Sequence, residues 1–233
     1  MHAVAWGFLL GVGLQVALQF SELARERPQF RWTLDWRHPV LKEVGIAFVP
    51  ITALALLAQI NIVVDRAMAA TLPAGSISAL AYADTILGSF YALGISLGIA
   101  VFPSLSRMAA LNDLASTART IISSMRLLIF VLAPLTFLLI PFAPHTIGLL
   151  LGRGRFDLAA IDATAQALAM YAVGLIAFAA LYVLQRAYYA SADNAIPLVV
   201  GLIGALAHVA LNWAFMRVWA HAGIALSTSV TAI

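Results

Sequence analysis

The sequence predicts an all-α protein, a polytopic bundle of membrane-spanning helices. Three observations carry this. Hydrophobic residues make up 63% of the 233-residue chain and charged residues only 10%, whereas soluble domains carry roughly 25% charged residues. Mean hydropathy is +0.98, and a chain of this size cannot hide so much apolar surface from water, so lipid is its solvent. The apolar runs recur at lengths near the ~20 residues that cross a hydrocarbon core of about 30 Å. The absence of cysteine excludes disulfides and thiolate chemistry. The net charge of +3 does not read as nucleic-acid binding. The basic residues lie beside the hydrophobic runs, where they set topology.

In chain order, about six full spans and one truncated span emerge. The first is about 3–20, AVAWGFLLGVGLQVALQF. The most charged stretch, SELARERPQFRWTLDWRHPVLKE at 21–43, follows as an amphipathic linker. Its interleaved aromatics, Trp32 and Trp36 among them, suit the headgroup level. The second span, about 44–69, is expected to bend at Pro50, which lacks the N–H that a helix needs. TLPAGS then reads as a turn, punctuated by proline and glycine. The third span is about 77–102, followed by a polar connection over 103–118. The fourth is about 119–141, bent near Pro134. PFAPHTIGLLLGRGRFD looks too short and too broken to span, and is expected to be an interfacial turn or short helix. The fifth span is about 160–190 and the sixth about 195–217, with SADNAIP between them. A seventh starts at His221 and is cut short. No cleavable signal peptide is evident, and both ends read as cuts through a longer protein.

Alternating sides divide the basic residues into two sets. Arg25, Arg27, Arg31, Arg37, Lys42, Arg107, Arg119, Arg126 and Arg186 fall on one side. Arg66, Arg153, Arg155 and Arg217 fall on the other. The positive-inside rule puts the richer set, and with it the 21–43 linker, in the cytoplasm.

A few polar residues interrupt the spans. A charge at the bilayer centre costs roughly 2.5–3.5 kcal/mol on insertion scales, so such residues face a cavity or a partner. Asp84 shares a helix face with Gly88, Tyr91, Ile95 and Gly98. It either lines a polar cavity or sits near the interface on a packing face. Gly94 and Gly98 form a GxxxG, which permits close helix approach. Asn61 and Asp65 are four apart, hence on one face. Their oxygens suit a hard cation, or a proton at the carboxylate. Arg66 points about 100° away on an ideal helix. Asp65 and Arg66 read equally well as interfacial residues reaching water. His208 and Asn212 repeat the four-residue spacing in the sixth span, and Thr228 lies in the truncated seventh. They form either a packing cluster or a proton or cation site shared with Asp65. No HExxH, GxSxG or Walker loop is present, so an enzyme is not indicated. His145 has no evident acid partner, GRGRF at 152–156 reads as an outer polar turn, and Arg107 suits an interfacial anchor touching lipid phosphate.

Six motifs in order, VDRAMAATLPAGSISALAYAD, GIAVFPSLSR, LLLGRGRFD, QALAMYAVGLIAF, RAYYASADNAIP and HAGIALSTS, resemble the MurJ/MviN lipid II flippases. These belong to the multidrug/oligosaccharidyl-lipid/polysaccharide (MOP) exporter superfamily. The resemblance runs from about residue 44 to the end, and more weakly over 7–20. It implies a two-lobed transporter about twice this long. Residues 1–20 would be the last helix of the first lobe, 21–43 a cytoplasmic linker, and 44–233 a second lobe truncated at its C-terminus. It further implies a multi-pass protein of the bacterial inner membrane. Its substrate would be lipid II, the undecaprenyl-diphosphate-linked peptidoglycan precursor, carried from inner to outer leaflet by alternating access. Membrane lipids and cell-wall synthesis proteins would be its other partners.

Asp84 matches the acid of the family's YAD motif. Thr85 stands where the family commonly has an arginine that holds the diphosphate, a role that leaves Arg66 as the cation nearby, with Tyr91 in the same cavity. Asp65, Asn212 and Thr228 match positions where some members form a sodium site, with Asn61 beside them. His208 replaces an expected oxygen ligand there. The resemblance implies no cofactor beyond Na+ or H+ as the coupling ion. The alternatives are a flippase of the same fold for another polyprenyl-diphosphate glycan, such as a capsule or exopolysaccharide unit, and a non-transporting membrane scaffold in envelope synthesis.

Overall fold

The computed structural model describes residues 2–25, 39–154, 156–191, 193 and 195–233. These are helical throughout apart from short turns, with seven helices in chain order among the described residues. Two compact units divide the chain at residues 42 and 43. The aromatic and basic residues expected at the headgroup level between 26 and 38 lie outside the described residues, as does Arg155.

The first unit contains helix α1, His2–Arg25. Its apolar segment Trp6–Ser21 is shorter than a full span, and Arg25 in its last turn complements the helix dipole. The second unit begins within α2, Pro39–Ala69. Proline at the first helical position is well placed, because that N–H has no intrahelical partner. Among the described side chains of α2, only Ala69 is buried. The expected TLPAGS turn follows. Thr71 donates its hydroxyl to the Met68 carbonyl at 2.7 Å. Gly75 takes the left-handed conformation, φ 98°, that glycine adopts without steric cost.

Helix α3, Ser76–Ala110, runs eight residues past the expected end of the third span. The polar connection shrinks to Leu111–Asp113, where Asn112 has φ 53° and Asp113 caps α4 by accepting the Ser116 N–H at 3.0 Å. Helix α4, Leu114–Leu151, continues through Pro134, Pro141 and Pro144. The interfacial turn or short helix expected over PFAPHTIGLLLGRGRFD is therefore corrected: its first part, to Leu151, continues the long helix α4, and only the described residues after Leu151 turn. In lipid a broken backbone would expose more unsatisfied groups than the few carbonyls that proline frees, so the helix persists.

The expected fifth span is two helices, α5 (Leu158–Val173) and α6 (Leu175–Ala190), bent by 48°. The bend has a tertiary cause. A Cβ at Gly174 would lie 2.7 Å from the Ser229 Cα. The Ser229 hydroxyl in turn lies 2.7 Å from the Met170 carbonyl and 3.1 Å from that of Tyr171, and satisfies acceptors at the break. Helix α7, Ala195–Ala232, breaks at Ala220 (φ 48°, ψ −129°) into two arms, 195–219 and 221–232. These arms are the sixth span and the start of the seventh.

Helices α3 to α7 share one core, with Leu87, Leu132, Ile147, Leu168, Leu175 and Ile224 almost wholly enclosed. Helices α3 and α6 approach closely. A Cβ on Gly94 would sit 2.5 Å from the Ala179 Cα, and one on Gly98 would sit 3.2 Å from the Tyr182 carbonyl. The GxxxG thus serves packing, as its spacing predicts. Outside, large apolar side chains such as Phe130, Phe137 and Leu149 are exposed, the inverse of a soluble surface and suited to lipid. Among the described residues, four helices are long and apolar enough to cross a membrane, and α5 with α6 makes a fifth if counted as one bent span.

Candidate functional site: a cavity closed by a carboxylate–histidine–amide cluster

A cavity of about 460 Å³ opens between α2 and the bundle. Helix periodicity aims the lining side chains inward. Ala58, Asn61, Ile62 and Asp65 make an i, i+3/i+4, i+7 stripe on α2, and Ile77, Leu80, Asp84 and Tyr91 make another on α3. Tyr171 and Phe178 enter from the two sides of the α5–α6 bend, and His208 and Thr228 from the two arms of α7.

Across this cavity α2 is tied to α7. Asp65 Oδ1 lies 2.7 Å from His208 Nε2, and Asn212 donates Nδ2–H to the same oxygen at 2.6 Å. Asn212 Nδ2 and His208 Nε2 are 3.2 Å apart. The Ser227 hydroxyl donates to Asn212 Oδ1, which turns the amide so that its N–H faces Asp65. The cluster therefore joins α2 to both arms of α7. Its exposure is graded: Asn212 is 0% exposed, while the side chains of His208 and Asp65 are 4% and 20% exposed. Asp65 and His208 both line the cavity, and Asp65 is the more exposed of the two. A buried carboxylate needs such partners, because an unpaired charge in low dielectric is strongly unfavourable.

Most residues of the two expected sites, the substrate cavity and the coupling-ion site, meet at one cavity. Asn61, Asp65, Arg66, Asp84, Tyr91, His208 and Thr228 all line this one cavity. Asn212 lies behind it in the cluster. Asp84 and Arg66 have no ion-pair partner among the described residues. Thr85 is not among the lining residues. Its hydroxyl donates back to the Ala81 carbonyl at 2.7 Å, and its side chain is exposed. The face proposed for Asp84 splits: Asp84 and Tyr91 meet the cavity, while Gly98 packs on α6. Tyr91 stacks on Tyr182, with centroids 5.9 Å apart and planes 17° apart, and approaches Phe178 at 6.1 Å. Sequence reasoning missed Ser227, Tyr171 and Phe178. The signal for Ser227 was the need of a buried Asn212 carbonyl for a donor. His145 meets Phe142 edge-on, outside this site.

Several of the oxygens expected at a sodium site have protein partners here. Asp65 Oδ1 already takes two nitrogen partners, Asn212 Oδ1 is turned to Ser227, and the Thr228 hydroxyl donates to the Ile224 carbonyl at 3.0 Å. Among the described residues no group of three His, Asp or Glu could hold a metal ion.

Comparison with known proteins gives a family match over the whole chain. The family described as "Lipid II flippase MurJ" matches residues 1–233. The "Lipid II flippase MurJ" of Burkholderia cenocepacia is 30% identical over 238 residues, covering 100% of this chain and 46% of the relative. The "Probable lipid II flippase MurJ" of Bdellovibrio bacteriovorus is 32% identical over 235 residues, covering 99% and 44%. The chain spans about half the length of the curated relatives it matches. Among solved structures, "Lipid II flippase MurJ, inward closed conformation" shares the fold at TM-score 0.71 and 22% identity, over 92% of this chain and 45% of that one. An outward-facing multidrug resistance MATE family transporter of the MOP superfamily shares it at TM-score 0.69 and 14% identity, over 79% and 40%.

Proposed function

We propose, from the premise that this chain belongs to the lipid II flippase MurJ family, that it forms the second lobe and linker of a flippase that carries lipid II across the bacterial inner membrane. The observation that carries this is the family match from the first residue to the last. The fold agrees, being a polytopic helix bundle with a cavity that carries charged and polar groups and is lined from five helices. Membership makes the chain part of a transporter family. Both curated relatives are lipid II flippases by name, which favours that substrate over another lipid-linked glycan and over a scaffold.

The headgroup would occupy the cavity and the lobes would rock around it, which is alternating access about a midplane site. Arginine suits a diphosphate through paired N–H donors, and Arg66 is the arginine that lines this cavity. Further cations come, on this proposal, from the remainder of a longer protein. Asp84 opposes them and tunes the cavity's charge. The linker faces the cytoplasm, as the basic side of the topology.

The coupling ion is a proton. This reading is supported by the hydrogen bond that Asp65 and His208 share, since both side chains can carry a proton. Protonation at Asp65 would weaken the tie between α2 and α7 and let the cavity mouth open. The experiment is complementation. The full-length parent is expressed in a bacterium depleted of its own lipid II flippase, with membrane insertion checked in parallel. Growth is expected. Failure of a well-inserted protein to support growth would move the assignment to another polyprenyl-diphosphate glycan.

A further inference from the structure

A second groove, of about 350 Å³, runs between α3 and α4 on the side of the bundle near their connecting turn. We propose that it is a binding site for an anionic glycerophospholipid, with the phosphate held by Arg119 and Ser123 and an acyl chain laid along Leu97, Val101 and Leu127.

The polarity of the groove is graded along its length. Helices α3 and α4 are antiparallel and joined at Leu111–Asp113. Counting from that turn, Arg119 and Thr120 come first, Val101 and Ser123 lie one turn deeper, and Leu97 and Leu127 are deepest. The helical rise puts Arg119 and Leu127 about 12 Å apart along the axis. At 38 residues, α4 is about 57 Å long, more than the about 40–45 Å of a whole bilayer. It therefore overhangs the bilayer, and on this proposal its Arg119-bearing first turns lie at headgroup depth and the Leu97–Leu127 end among acyl chains. A phospholipid has the same polarity in the same order.

The donors are available. Arg119 commits two of its five N–H groups to its own helix, Nε to the Ala115 carbonyl at 3.3 Å and Nη2 to the Ser116 hydroxyl at 3.0 Å. The others remain for a phosphate, which guanidinium recognises well. The neighbouring hydroxyls are engaged: Thr120 with the Ser116 carbonyl and Ser124 with the Thr120 carbonyl, each at 2.9 Å. Ser123 differs. It is exposed in the groove and has no hydrogen bond among the described residues. The charge is complementary too. Residues 104–127 carry Arg107, Arg119 and Arg126 against one acid, Asp113, and Asp113 is committed to capping α4. This site is separate from the central cavity and shares no lining residue with it.

The test is native mass spectrometry on the full chain, stripped of lipid in detergent and titrated with phosphatidylglycerol or phosphatidylcholine of identical acyl chains. Phosphatidylglycerol is expected to be retained preferentially. Each basic residue near the membrane surface contributes enough that Arg119→Gln should weaken that retention about fivefold. Ser123→Ala should weaken it as well, and Arg153→Gln at the other end of α4 should not. Size-exclusion profiles and circular dichroism establish that the variants fold. Equal retention of the two lipids, or wild-type phosphatidylglycerol retention in both Arg119→Gln and Ser123→Ala, would overturn the proposal.

Discussion

Gly94→Ala is the sharpest test of how the cavity wall is built. The added Cβ would lie 2.5 Å from the Ala179 Cα, 2.6 Å from its carbonyl oxygen and 2.7 Å from its Cβ. Comfortable carbon contacts need about 3.5–4.0 Å, so α3 and α6 must part by roughly an ångström. The obstructing atoms are backbone and cannot rotate away. Overpacking costs about 1–3 kcal/mol, and the better helix propensity of alanine returns about 0.8–1.0 kcal/mol. With two backbones in collision the upper range applies, for a net loss of about 1–2 kcal/mol. Gly148→Ala on α4 is the matched control, because its Cβ would meet nothing within 4 Å. It should be neutral or gain up to about 1 kcal/mol. Equilibrium unfolding of both variants in one detergent gives the comparison. Because Tyr91 and Phe178 sit beside this contact, the Gly94 variant should also disturb the aromatic wall. A Gly94→Ala protein as stable as wild type, with Gly148→Ala behaving as expected, would refute the close approach of α3 and α6.

Two further outcomes are expected. His208→Ala takes a partner from Asp65 inside the bundle and should lower unfolding stability by about 1–3 kcal/mol. It should also speed amide exchange in α2, which is tied to α7 by this cluster, and unchanged exchange there would deny the tie. At the α3–α4 turn, the Asp113 carboxyl is held below the usual carboxylate range, first by its hydrogen bonds to Ser116 and then by Arg119 nearby. A depressed carboxylate contributes stability that is present above its unfolded pKa and is lost as pH falls through the folded one. Protection of the Ser116 amide should therefore persist through the ordinary carboxylate range and fail only at more acidic pH, and loss at a normal carboxylate pKa would contradict the cap.

Much of this was legible in the chain. The spans at 44–69 and 77–102, the TLPAGS turn and the GxxxG contact follow from local composition and spacing, which a helix converts directly into faces. The i, i+4 pairs Asn61–Asp65 and His208–Asn212 marked the cavity for the same reason. What escaped depends on partners distant in sequence. The bend at Gly174 is caused by Ser229 on α7, and no window around 174 contains that residue. Ser227 acts through Asn212, fifteen positions away. The continuation of α4 through three prolines reflects the solvent, because a break that is cheap in water is costly in lipid. Thr85 shows the limit of a motif: the resemblance placed it in the cavity through the position after YAD, yet its hydroxyl bonds back to the Ala81 carbonyl and it is not among the lining residues.

The most direct measurement is the amount of lipid II reaching the outer face of cells depleted of their own flippase, with the full-length parent or its Asp84→Ala variant inserted at equal level. The account predicts that the parent restores outer-face lipid II and that Asp84→Ala abolishes it. Restoration by both proteins alike would remove Asp84 and its cavity from the transport path, and restoration by neither would contradict lipid II as the substrate.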